Sequence, residues 1–440
     1  MRFRSTRGDQ SVGLEDALLK GIADDGGLFV PELLPTFSID DFAAADDLIG
    51  AASVLLRPYV AGTRLEADLP SILAETLHFQ IPSVSLAWDR GPAWLLELFH
   101  GPTAAFKDVG AGFLAACMSR LHEVDDEPLI ILVATSGDTG GAVAAAFDER
   151  PGIRVAILFP KGRVSARQER QLTCWSDNVL SLEVEGSFDD CQALVKSAFV
   201  DADLGSRYHF SSANSINIGR LLPQSTYYAW SSLAHYRERG RRPNYIIPTG
   251  NLGNALACIL ARDMGLPIGD IVLATNANRL ISDYLEGADW LPRASVQTLA
   301  TAMDVGNPSN MERLRKVHGE QEELRGLISS VSVADDDIEA QIREQHAELG
   351  MDICPHTATA FHAYSRLPAE RRDEDWILVA TAHAAKFESI VEPLIGATVD
   401  VPPALAEILE RPTHAVSISP TLEALDSALS GGFDRESGSG

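Results

Sequence analysis

Five stretches of the chain are almost unbroken in aliphatic and β-branched residues: 129–135 (LIILVAT), 155–160 (VAILFP), 244–249 (NYIIPT), 271–275 (IVLAT) and 376–382 (WILVATA). Apolar runs of this length without alternation predict strands buried on both faces. Alanine-rich segments of helical character follow, GGAVAAAFDER after the first run and NALACILARDMG after the third. Strand then helix, repeated, predicts an α/β fold with parallel sheet. The first 90 or so residues read differently. GLEDALLKGIA (13–23) and DDFAAADDLIGAASVLLRPYV (40–60) predict amphipathic helices, with DGGLFVPELLP (25–35) as a turn between them. Residues 333–348 predict an exposed acidic helix, and DRESGSG (434–440) a disordered tail. At 440 residues the chain is too long for one core. The expected division is a mainly helical region over 1–90, α/β domains over 91–235 and 236–400, and a C-terminal extension with the tail over 401–440.

The formal net charge is −26, from 62 acidic and 36 basic side chains. Such a field repels nucleic acid and anionic membrane surfaces, so neither is an expected partner. An anionic substrate would need a local basic pocket. The five cysteines are odd in number and form no CxxC, which argues against a disulfide framework or a structural zinc site and for a reducing compartment. The opening MRFRSTRGDQ lacks the apolar stretch of a secretory signal, and no apolar run approaches membrane-spanning length. The expectation is a cytoplasmic enzyme or binding protein without a metal.

Ligands in open α/β sheets bind at the carboxyl ends of the strands. Three loops at such ends are unusual: SGDTGG (136–141), GNLGN (250–254) and TAHAAKF (381–387). In GNLGN, Gly250 and Gly253 let backbone N–H groups converge, Asn251 and Asn254 add amides, and a helix expected from Ala255 adds its dipole. That is a phosphate cradle. It lacks both the GK[ST] of a nucleotide loop and the G-x-G-x-x-G of a dinucleotide fold. Taken alone, it reads equally well as a glycine-rich turn. Ser136, Asp138 and Thr139 of SGDTGG fit a ligand loop, although a plain helix cap reads better in isolation. In SSANSINIGR (211–220), Asn214, Ser215, Asn217 and Arg220 crowd beside an apolar helix. Lys161, Arg163, Arg167 and Arg170 follow another strand, as a basic cluster or as a solvated helix face.

HGPTAAFKDVGAGF (100–113) holds a single lysine, Lys107, among small and apolar residues. Desolvation of that kind lowers an amine's pKa and frees its lone pair. A desolvated lysine, a phosphate cradle without nucleotide signatures and a second anion-binding loop together point to pyridoxal phosphate. Thr381, at a strand end, offers a hydroxyl for the ring nitrogen.

Several of these stretches, in order, resemble the threonine synthase family in its longer bacterial and fungal form. They are STRG, DGGLFVP, ELFHGPTAAFKD, ATSGDTG, CQALVK, SANSIN, AMDVGNPSN and TAHAAKF, and they span nearly the whole chain. The resemblance implies a tryptophan-synthase-β-like, fold type II pyridoxal enzyme with the cofactor between two α/β domains. It implies Lys107 as the Schiff-base lysine, Gly250, Asn251, Leu252, Gly253 and Asn254 as the cofactor phosphate loop, and Thr381 as the ring-nitrogen partner. Ser136, Gly137, Asp138 and Thr139 would hold the substrate carboxylate, with Asp138 approaching the cofactor 3′ oxygen. Asn214, Ser215 and Arg220 would grip a substrate phosphate, with Lys161 and Arg163 as helpers. The chain departs from the family pattern at Leu252 (often phenylalanine), Asn254 (often aspartate) and Ala384 (often proline). The activity implied is conversion of O-phospho-L-homoserine and water to threonine and phosphate, by a monomer. A serine or threonine dehydratase would share the lysine and the cofactor loop but not need Arg220. A non-catalytic relative that binds a phosphorylated metabolite would not need Lys107.

Overall fold

The computed structural model describes residues 1–123, 126–135 and 137–433. Ser136 and the 434–440 tail, two subjects of the sequence reading, lie outside them. Each of the five apolar runs forms a strand, and every residue of Leu129–Ala134, Asn244–Pro248, Ile271–Thr275 and Trp376–Ala380 is buried. These strands fall into two sheets.

One sheet has six strands in the spatial order Ser329–Ser332, Ile271–Thr275, Asn244–Pro248, Trp376–Ala380, Ala93–Glu97, Ser83–Ser85. All neighbours are parallel except the last pair. The other sheet has five parallel strands, in the order Val416–Ile418, Val179–Val184, Ile153–Pro160, Leu129–Ala134, His209–Ser212. Helices cover both, as parallel strands joined by crossovers require.

The sheets do not respect the boundaries expected from the sequence. Ala93–Glu97, assigned to the 91–235 domain, pairs in register with Trp376–Ala380 of the other sheet. Val416–Ile418, assigned to a C-terminal extension, adds an edge strand beside Leu182–Val184. The 1–90 region is not purely helical either. Arg2–Ser5, Ser11–Gly13 and Phe29–Pro31 form an antiparallel sheet, and the last of these replaces part of the expected turn. Such pairings join residues far apart in sequence, so no local pattern announces them.

The amphipathic reading holds where a face is buried. Helix Leu48–Val60 buries Leu48, Ala51, Ala52, Leu55, Leu56 and Tyr59, and the Asp47 carboxylate caps it by accepting the Gly50 N–H at 2.7 Å. The acidic helix, Asp335–Leu349, exposes Asp336, Arg343 and Glu348, half-buries its other charges, and seats Ile338 and Ile342 in the core.

Helix Asp138–Phe147 lies very close to its sheet. A Cβ on Gly140 would come within 2.5 Å of both Leu172 and Thr135 side-chain carbons and 3.0 Å of Ile157. Gly140→Val should therefore destabilise the chain by about 1–3 kcal/mol through overpacking. Urea unfolding should show a lower midpoint, whereas Gly205→Ala, with open space around it and no left-handed φ, should show a smaller change.

Candidate active site

The loop that delivers Lys107 is clamped to the carboxyl end of strand Trp376–Ala380. The Phe106 N–H donates to the Thr381 carbonyl at 2.9 Å, and the His383 N–H donates to Ala104 O at 3.0 Å. Ala105 and Ala382 form a β-bridge between these bonds. Ala104 takes a left-handed φ of 54°, uncommon for a residue with a Cβ. This turn starts helix Lys107–Leu121 with the lysine at its first position. Asp108 steadies the same loop: its carboxylate accepts the Thr103 N–H at 2.9 Å and the Thr103 hydroxyl. Burial lowers the Lys107 pKa to about 8, Asp138 opposes the shift, and the cations Lys386 and Arg220 add to it.

The GNLGN loop follows strand Asn244–Pro248 in the same sheet. Leu252 is fully buried with φ 64°, a left-handed cap from which helix Gly253–Asp263 departs. The helix begins two residues earlier than the expected Ala255, because Leu252 reverses the chain at once. Gly250 has a steric reason: a Cβ there would meet Met303 Cα at 2.6 Å. Asn251 ties the loop to its surroundings. Its Nδ2 donates to the Ser215 hydroxyl, its Oδ1 accepts the Ser309 N–H, and its carbonyl accepts Asn310 Nδ2 at 3.0 Å. Asn254 Oδ1 accepts hydroxyls from Tyr227 and Tyr228.

The second sheet supplies the facing wall. Gly137, at φ 140°, turns the chain into helix Asp138–Phe147. Asp138 is buried; burial alone would raise its pKa, but Lys386 and Lys107 hold the carboxyl far below its usual range. Asn214 Nδ2 donates to Ala134 O at 3.0 Å and so fastens its loop to the strand before SGDTGG. Asn217 is a structural cap, accepting the Gly219 N–H at 2.9 Å and donating to the Leu18 and Ser212 carbonyls. Arg220 is 2% exposed and donates to the Ala213 carbonyl. Burial lowers its pKa to about 10, which leaves it charged at neutral pH.

A cleft of about 1350 Å³ brings these parts together: Lys107, Asp138, Thr139, Asn214, Ser215, Arg220, Gly250 through Asn254, and Thr381 all line it. Lys161 and Arg163 do not, which corrects their assignment as helpers. They are exposed beyond strand Ile153–Pro160, where Lys161 Nζ donates to the Ser417 hydroxyl at 2.6 Å and pairs with Glu183. Arg167 and Arg170 likewise bind the Ala385 and Leu409 carbonyls.

Three residues of consequence escaped the sequence reading. Lys386, fully buried, pairs with Asp138 at 3.0 Å. It lies in the alanine-rich TAHAAKF, the same signal that singled out Lys107. His356 lines the cleft, and its Nε2 accepts the Ala302 N–H at 3.1 Å. Burial lowers its pKa to about 4, so it is a neutral imidazole with the proton on Nδ1. Arg313, fully buried, donates to the carbonyls of Phe29, Ser215 and Ile216 and to Asn310 Oδ1, and so locks the Asn214–Ser215 loop to the N-terminal sheet.

Four buried polar atoms on cleft-lining residues have no protein partner among the described residues: Arg220 Nε, Gln224 Oε1, Asn254 Nδ2 and His356 Nδ1. Orphaned buried polar atoms cost free energy, and a polar ligand would satisfy them. With a partly neutral amine, a glycine cradle at a helix N-terminus and a hydroxyl at the neighbouring strand end, the residues fit pyridoxal phosphate. The class defined is a fold type II pyridoxal enzyme, and residues 78–382 match the family described as "Pyridoxal-phosphate dependent enzyme". Residues 2–77 match "Threonine synthase N terminus" and residues 357–428 "Threonine synthase, C-terminal". The threonine synthase of Escherichia coli K12 is 36% identical over 422 residues, which cover 95% of this chain and 96% of that protein. The crystal structure of threonine synthase from Escherichia coli superposes with a TM-score of 0.88 at 34% identity, covering 98% of this chain and all of that one. Pyridoxal-phosphate-bound threonine synthase from Brucella melitensis gives 0.89 at 33% identity, covering 98% and 99%. The chain belongs to the threonine synthase family.

Two outcomes test the geometry. The lowered Lys107 pKa means that the amine becomes neutral as pH rises through about 8. Capture of pyridoxal phosphate by cofactor-stripped protein should accelerate along that titration and level off above it, and Lys107→Ala should abolish trapping by borohydride. A Cβ on Gly253 would lie 3.6 Å from Asn310 and Ser215, an ordinary contact. Gly253→Ala should therefore keep the cofactor on dialysis, while Gly253→Asp, which adds a negative charge to the cradle, should lose it.

Proposed function

We propose that this chain converts O-phospho-L-homoserine and water to L-threonine and inorganic phosphate, the last step in making threonine. The observation that carries the reading is a second anion site beside the cofactor cradle. Arg220 is buried with no carboxylate within ion-pair distance among the described residues, in the short helix Ile218–Leu221 that follows the loop whose Ser215 is hydrogen-bonded to Asn251 of the 250–254 loop. A dehydratase acting on serine or threonine has no use for a buried guanidinium there.

Bound pyridoxal phosphate supplies an electron sink for carbanions next to the substrate amine. Gly250 through Asn254 would hold its phosphate, and the Thr381 hydroxyl its ring nitrogen. Gly137 through Thr139 would receive the substrate carboxylate at the helix N-terminus. Asn214, Ser215 and Arg220 would grip the substrate phosphate until it leaves from Cγ. Lys107, with a pKa of about 8, is matched to exchanging protons near neutral pH. It would remove the Cα proton, then a Cβ proton; once phosphate has left, a proton would return to Cγ to make the methyl group, and another to Cα after water has added at Cβ. The negative field of the chain leaves this cleft as a local basic site for a dianion. The reading also takes the protein to work as a monomer in the cytoplasm; five free, buried cysteines fit a reducing compartment. Among the described residues no helix is long and apolar enough to cross a membrane.

Purified protein loaded with pyridoxal phosphate should release phosphate and form threonine in equal amounts from O-phosphohomoserine. Release of ammonia from serine or threonine without phosphate turnover would replace the reading with a dehydratase. Arg220→Ala should lower kcat/KM for O-phosphohomoserine by about 2–3 kcal/mol, roughly thirty- to a hundredfold or more. Binding of threonine, observed as a change in the cofactor's visible spectrum, should be nearly unchanged, since that ligand carries no phosphate. Equal loss in both would make Arg220 a structural residue.

A further inference from the structure

We propose that Lys386 is a positioning residue whose buried ammonium keeps Asp138 ionised, so that Asp138 meets the cofactor as a hydrogen-bond acceptor only. The proposal rests on the reading that places Asp138 beside the cofactor 3′ oxygen.

Lys386 is fully buried and comes from the short helix after strand Trp376–Ala380. Its Nζ lies 3.0 Å from Asp138 Oδ1 and donates to Thr103 O at 2.7 Å. One ammonium thus joins the three segments that carry Thr381, Lys107 and Asp138. Gln168 Nε2 donates to the same Oδ1 at 3.2 Å. The other charged or titratable groups acting on Asp138 are Lys107 and His356, and the Cys354 thiol feels its charge; Lys386 also acts on buried Asp108, whose pKa burial raises and whose Thr103 partner it shares. A carboxyl so deeply buried would take up a proton if its counter-ion were removed. A protonated carboxyl would donate a hydrogen bond where the ionised one accepts it, which reverses the group's effect on the 3′ oxygen. An amide at position 138 needs no counter-ion. The lysine and the aspartate therefore form one unit, each costly without the other.

The test is a double-mutant cycle on the full-length, cofactor-loaded protein: Lys386→Met, Asp138→Asn and both together. Two readouts besides activity are followed, cofactor affinity from the visible absorbance and Tm as a function of pH. Each single variant should bind pyridoxal phosphate on the order of tenfold or more weakly, and the double variant should recover most of that loss. In the native protein the Asp138 proton affinity is below that of the unfolded chain, so the pair's stabilisation is lost as pH falls. With Lys386 gone, burial raises that affinity, and destabilisation grows as pH rises. The Tm gap between native and Lys386→Met protein should widen from about pH 4.5 to about pH 7.5, and the gap to the double variant should widen less. If Lys386→Met does not fold, the double variant should still bind cofactor more tightly than Asp138→Asn. A double variant no better than the poorer single variant, or a Tm gap independent of pH, overturns the proposal. A native chain that takes up pyridoxal phosphate but turns over no O-phosphohomoserine overturns the proposed reaction instead, and leaves the cycle to judge Lys386 alone.

Discussion

Cations buried without carboxylate partners are the constraint around which this cleft is built. Arg220 and Arg313 are both nine-tenths or more buried and are held by main-chain carbonyls: Ala213 for one, Phe29, Ser215 and Ile216 for the other. Carbonyl dipoles solvate a guanidinium without cancelling its charge. In a chain of net charge −26, the result is a positive interior site flanking the Asn214–Ser215 loop, screened little because water is excluded. Burial, more than any charge, depresses the Lys107 pKa; Asp138 opposes the shift, and Lys386 and Arg220 add to it.

The sheets convert that field into geometry. Lys107 and Thr381 belong to different parts of the sequence, yet the Phe106 to Thr381 hydrogen bond makes them neighbours. The 250–254 loop follows Asn244–Pro248, the strand next to Trp376–Ala380, so Lys107, Thr381 and that loop all lie at the carboxyl end of one sheet. Thr139 and the Asn214–Ser215 loop belong to the other sheet's side of the cleft, and the Asn251 to Ser215 bond closes the gap between the two. Ala104 and Leu252, two non-glycine residues in left-handed conformations, lie at the two turns that aim Lys107 and the phosphate loop. Backbone strain of this kind persists only where the surroundings impose it.

Much of this was legible in the residues. Fully apolar runs mark buried parallel strands because both faces are covered, and Leu129–Ala134 and Trp376–Ala380 are such strands. A lysine among alanines and a glycine-asparagine loop carry their chemistry in their composition. The edge strands were not legible. Ser83–Ser85, Ser329–Ser332 and Val416–Ile418 are short and largely exposed or half-buried, so no hydrophobic pattern sets them apart from loops. Lys161 and Arg163 misled because charge alone does not say which side of a strand end a loop leaves from.

The sequence by itself determined the types of the central elements and the likeness to a family, and it singled out Lys107 and the 250–254 loop, since these depend on residues adjacent in the chain. Only the tertiary structure decided which sheet each strand joins, that Lys386 meets Asp138, that His356 is neutral, and that Arg313 anchors the Asn214–Ser215 loop. Each of these depends on burial and on a partner far away in sequence. Charge state and hydrogen bonding inside a protein are set by what lies within a few ångströms, and the fold brings those neighbours together.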